Sequence, residues 1–125
     1  MTSINQTSQT FVNFSNHPST AWAEPQLAAA SKYGPVVDLA FPPVDPAMNE
    51  ADLRRLAEEK VQEILALNPS AVMCQGEFGL SFLVTQKLLD AGITVLYACS
   101  ERKVHVKGNT KTVQFDFVQF RRFGL

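Results

Sequence analysis

Four short apolar runs, each rich in β-branched or aromatic residues, constrain this chain more than any other feature. They are Thr10–Phe14 (T-F-V-N-F), Val36–Phe41, Ala71–Gln75 (A-V-M-C-Q) and Thr94–Ala98. The third is almost continuously apolar, which suits a central parallel strand covered on both faces. Helical patterns lie between the runs. Ala23–Tyr33 is alanine-rich and is stopped by Gly34-Pro35. Asn49 or Asp52 can cap a second helix running to about Leu67, in which Leu53, Leu56, Ala57, Val61, Ile64 and Leu65 recur at three- and four-residue spacing. Its charged face (Arg54, Arg55, Glu58, Glu59, Lys60) reads as solvated surface. A third helix runs through Leu80, Leu83, Val84, Leu88 and Leu89 to Ala91-Gly92.

Strands alternating with helices predict a parallel sheet with right-handed crossovers. The simplest winding gives strand order 2-1-3-4. Cys99–Arg102 reads as the loop after strand four. Lys103–Lys107, the turn Gly108-Asn109 and Lys111–Phe120 then form a C-terminal β-hairpin. The expected fold is a Rossmann-like, three-layer α/β sandwich. At 125 residues the chain has the size of one domain, placed over residues 10–125. Residues 1–9, polar and aperiodic, read as a disordered leader.

Net charge is -1, so no global basic field draws in long nucleic acid. No apolar run approaches the ~20 residues of a membrane span. Met1–Thr10 lacks the basic and apolar regions of a signal peptide, which predicts a soluble cytoplasmic protein. Cys74 and Cys99 are then expected as reduced thiols.

Where strand order reverses, an open α/β sheet leaves a ligand crevice at the carboxyl ends of its strands. Three polar loops are expected there. Ser15, Asn16, His17, Ser19 and Thr20 supply hydroxyls, an amide and an imidazole, a side chain suited to general acid–base work. In the bland reading they close a turn, with Ser19 or Thr20 capping the helix. Gln75, Gly76, Glu77 and Phe78 lie at a strand-to-helix junction whose N–H groups favour an anion. There Glu77 either caps the helix or accepts from a ribose or base. Phe78 either packs in the core or stacks on a base. Ser100, Glu101, Arg102 and Lys103 bring two cations, suited to a phosphate. Their bland reading is an ion pair of Arg102 with Glu101 or Glu77. His17 and His105 are too far apart in sequence to suggest a metal site, and no cofactor is expected.

Phe11–Pro18 (F-V-N-F-S-N-H-P), Cys74–Gly79 (C-Q-G-E-F-G), Tyr97–Arg102 (Y-A-C-S-E-R) and Val118–Phe123 (V-Q-F-R-R-F) together resemble small CRISPR-associated proteins of type III systems. These carry a CRISPR-associated Rossmann (CARF-like) fold, and several are ring nucleases. The resemblance covers most of the chain from residue 11. It implies binding of cyclic oligoadenylate, with cyclic tetra-adenylate the expected ring. It also implies metal-free opening to a 2′,3′-cyclic phosphate, which ends the antiviral signal. His17, Arg102 and Lys103 would be catalytic, with the other loop residues holding the ligand. A four-nucleotide ring is too large for one crevice, so a homodimer is expected.

Three readings compete. The same fold can hold the ring without turnover, as a sponge. Glu77 can be the nucleophile of a deoxyribosyltransferase-like enzyme acting on free nucleosides or nucleotides. The loops can also be ordinary turns of an adaptor.

Overall fold

The computed structural model describes residues 8–125, so most of the expected leader lies outside the described residues. Five strands form one mixed sheet: β1 (Thr10–Ser15), β2 (Val36–Ala40), β3 (Pro69–Gln75), β4 (Thr94–Lys107) and β5 (Thr110–Arg122). Their order is β2-β1-β3-β4-β5. The first four are parallel, and β5 returns antiparallel to β4. Three helices, α1 (Glu24–Ser31), α2 (Glu50–Ala66) and α3 (Phe78–Asp90), fill the connections. Among them no helix is long and apolar enough to cross a membrane.

The period-two alternation of the strands divides the core into two layers. Val12, Phe14, Val72, Cys74 and Val95 pack with Ala57, Val61 and Ile64 of α2 and Leu80, Val84 and Leu88 of α3. Phe11, Ala71, Met73 and Leu96 point the other way, onto Trp22 and Ala30. Each fully buried Phe, Leu or Ile stabilises the fold by about 1.5–3 kcal/mol. Burial also pushes the Cys74 thiol up from its ordinary range.

Helix ends follow local chemistry. Asn49, not Asp52, caps α2, its side-chain oxygen accepting from the Asp52 N–H at 2.8 Å. The first helix is shorter than expected: Pro25 sits in its first turn, and the chain leaves it after Ser31. Gly34 then takes φ +141°, and a Cβ there would lie 2.2 Å from the Gln9 carbonyl oxygen.

The largest correction concerns Cys99–Arg102, which is strand and not loop. No Gly, Pro or Asn interrupts the stretch, and each residue has a partner on β5. The expected hairpin is therefore the end of β4 itself paired with β5. Cys99 pairs with Gln119 but Ser100 with Phe117, so Val118 is an extra, bulged residue. Register with β3 ends at Met73↔Leu96, and the Gln75 side chain caps that edge by accepting from the Ala98 N–H at 2.7 Å. Ser100–Lys107 and Thr110–Phe117 thus extend past the carboxyl end of the sheet as a two-stranded arm, roughly 26 Å long at ~3.3 Å per residue.

Gly34→Ala combines a disfavoured φ with a backbone clash. It should destabilise the protein by more than about 1 kcal/mol, read as a lowered urea midpoint with unchanged m-value.

Candidate functional site

Two strands carry a polar residue where their neighbours are apolar: Asn13 in T-F-V-N-F and Asp38 in V-V-D-L-A. Register places them directly opposite each other on β1 and β2. Asn13 is only 1% exposed, so its amide must find partners inside the protein. Its Nδ2 donates to Asp38 Oδ1 at 3.0 Å and to the His17 carbonyl at 2.8 Å. Its Oδ1 accepts from Ser15 Oγ at 2.6 Å. Asp38 Oδ2 in turn accepts from the Ser19 N–H at 3.0 Å and the Ser19 hydroxyl at 3.1 Å. Sequence reading missed both residues. The signal was present, as one polar side chain inside each of two strands, but their pairing needs the register.

The network fixes the loop after β1. The His17 carbonyl accepts from Asn13, from the Trp22 indole at 3.2 Å and from Ser15 Oγ at 3.3 Å, while the His17 N–H donates to Ser15 Oγ at 3.1 Å. Ser15 is therefore a buried strut and does not face the crevice as expected. The Asn16 and His17 side chains are exposed, and neither makes a hydrogen bond or ion pair among the described residues. Thr20 lies exposed in the single 3-10 turn Ser19–Ala21. Neither Ser19 nor Thr20 caps α1: Ala23 occupies that position with no side-chain bond.

The second loop leaves the neighbouring strand at the same level, since Ser15 is paired with Gln75. Gly76 lies beneath the Phe41 ring, and a Cβ there would come within 2.5 Å of it. Glu77 caps α3, its carboxylate accepting from the Leu80 N–H at 2.7 Å. That carboxylate occupies the end of the helix dipole expected to attract an anion. Phe78 is not core: it is 92% exposed at the start of α3.

The third expected loop does not exist as a loop. Ser100, Glu101, Arg102 and Lys103 belong to the arm, where all four are exposed. Lys103 is paired with Asp116 at 3.0 Å, a partner absent from the expected alternatives. The pair holds the Lys103 ammonium above and the Asp116 carboxyl below their ordinary ranges. Arg102 alternates with Ala98 and Leu96 on the α1 side of the strand, about 13 Å beyond Ala98. Two of the three loops therefore meet at the sheet's carboxyl end, and the cations stand above it. Among the described residues no three His, Cys, Asp or Glu side chains gather as metal ligands.

A family model described as the uncharacterized protein MJ1673 family matches residues 9–121, which takes in all three helices and all but the last residue of β5. The chain belongs to the MJ1673 family. The match contains both crevice loops and Asn13, Asp38 and the arm. A comparison with curated proteins found no match.

Asn13→Ala removes the centre of the network and leaves the His17 carbonyl and Asp38 short of a donor. Stability should fall by about 1–3 kcal/mol, measured by urea denaturation. The backbone amides of residues 16–19 should also exchange faster with deuterium, while those of β3 stay protected.

Proposed function

We propose that this MJ1673-family protein has a CARF-like Rossmann fold, binds cyclic oligoadenylate at the carboxyl end of its sheet and opens the ring. The observation that carries this reading is the His17 loop. Three donors pin its backbone while the imidazole and the Asn16 amide are presented to solvent, beside the loop of Gly76 and Phe78. A pinned backbone with free functional side chains is what preorganised binding and catalysis need. The identity of the ligand comes from the sequence resemblance. A homodimer with facing carboxyl ends would enclose a four-nucleotide ring, and the proposed setting is the cytoplasm, where such a messenger would end type III CRISPR signalling.

In the proposed step a ribose 2′-oxygen attacks the adjacent phosphorus as the bond from phosphorus to the 5′-oxygen breaks. The 2′-hydroxyl gives its proton to solvent water, and the departing 5′-oxygen gains one from His17, which solvent restores. The products are a 2′,3′-cyclic phosphate and a 5′-hydroxyl. Asn16 and Ser19 orient the nucleotide, Phe78 offers a stacking face, and Arg102 meets phosphate charge. Glu77 is committed to capping α3, which weakens the transferase reading. One observation favours the sponge: Lys103, expected to assist catalysis, is already engaged by Asp116.

Cyclic oligoadenylates of different ring size, incubated with the protein and resolved by chromatography, test the reading. Cleavage of cyclic tetra-adenylate to the cyclic-phosphate product is expected. His17→Ala should keep ring affinity and lower the single-turnover rate by ~10²–10⁴-fold. Binding without any product would establish the sponge, and neither binding nor product would refute the assignment.

A further inference from the structure

The arm has two unlike faces. Glu101, Lys103, His105 and Lys107 pair with Asp116, Gln114, Thr112 and Thr110, giving a polar face. Between them Val104 pairs with Val113, Arg102 with Phe115, Ser100 with Phe117 and Val106 with Lys111. That second face presents Val104, Val106, Val113, Phe115 and Phe117, with Ser100, Arg102 and Lys111 among them, yet Val106 is 70% and Phe115 66% exposed. It continues the core: the Phe117 ring lies 4.9 Å from Phe120, which lies 5.2 Å from Phe11. An isolated two-stranded ribbon is marginal in water, so an arm of this length needs a cover.

The same chain carries an unfilled apolar groove of ≈ 820 Å³ beside α3, walled by Phe78, Phe82, Leu89, Tyr97 and Phe123. Phe82 is 66% exposed there. The groove lies on the α3 side of the sheet, whereas the arm's apolar face continues the α1 side, so a chain does not fill its own groove. The two surfaces also match in charge. Exposed carboxylates, Glu77 and Asp90, stand at the two ends of α3, and the cations Arg102 and Lys111 stand among the apolar side chains of the arm's second face.

We propose that the groove receives the arm of a second copy of this chain, and that the exchange is reciprocal, forming a twofold dimer. Both surfaces are present on every chain, so two identical contacts close the pair and leave none open for a filament. An arm face roughly 26 Å long and ~10 Å wide, buried twice with its two grooves, removes on the order of 1,000 Å² from water, the threshold of a specific interface. The inference rests on these surfaces and not on the proposed ligand.

Sedimentation velocity at micromolar concentration, without nucleotide, tests it. The wild type should be a dimer. Phe115→Asp on the arm and Phe82→Asp in the groove should each raise the dissociation constant by at least ~10-fold, as loss of a buried aromatic anchor does. Thr112→Glu, on the arm's polar face, should leave it unchanged. Val106→Asp and Phe82→Ser serve as second variants should either chain misfold by circular dichroism. A monomeric wild type overturns the proposal, as does an arm variant that still dimerises. Dissociation by the arm variants alone, with the groove variants unaffected, overturns the seat in the groove. Cleavage is assayed separately, so failure here is distinct from failure of the ligand reading.

Discussion

One buried amide organises the carboxyl end of this protein. Asn13 lies on the interior strand β1 with nowhere to reach water, and both its Nδ2 hydrogens and its Oδ1 are engaged within the structure. An unsatisfied amide at that depth costs about 1–3 kcal/mol, so the loop after β1 must adopt a shape that brings a carbonyl to Nδ2. The His17 carbonyl is that group. Asp38 makes the arrangement rigid by linking the amide on one side to the Ser19 turn on the other. The same three residues thus align β1 with β2, shape the loop and decide which side chains are left facing outward.

The sheet order supplies the second condition. Crossovers from β1 lead to β2 on one side and onward past β1 to β3 on the other, so the loops after β1 and β3 separate towards opposite faces. Glu77 and Phe41 shape the β3 side: the first satisfies the start of α3, and the second demands glycine at position 76. The site is formed by polar groups already committed to one another, with Asn16, His17 and Phe78 left over. Such commitment favours positioning over strong electrostatic attraction. The arm's cations, standing beyond the sheet end, supply charge from a separate element.

Much of this fold was legible in the sequence because short apolar runs and helical spacing alternate along it. The short β-branched run Val36–Phe41 and the three-to-four spacing from Leu53 to Leu65 each identify their element, and strands alternating with helices lead to the order of the parallel strands. Caps were legible as alternatives: Asn49 and Glu77 were among the candidates, but which oxygen reaches which N–H depends on backbone geometry. Ser100–Lys103 was misread for a physical reason. Its four successive side chains are all polar, and the apolar partners of that stretch, Phe115 and Phe117, lie on the other strand, so by itself it looks like a loop. Asn13 and Asp38 were visible singly and invisible as a pair, because register is a property of two strands. Phe78 was read as either core or stacking surface, and only packing separates these.

The central claim is that the network-held loop after β1 and the loop after β3 form one ligand site. Amide chemical-shift mapping of the ¹⁵N-labelled protein, titrated with cyclic tetra-adenylate, tests it most directly. The account predicts saturable shifts concentrated at Asn16, His17, Ser19, Gly76, Glu77 and Phe78, with the outer faces of α2 and α3 unmoved. Shifts confined to those helix faces or to the arm's polar side, with both loops silent, would contradict it.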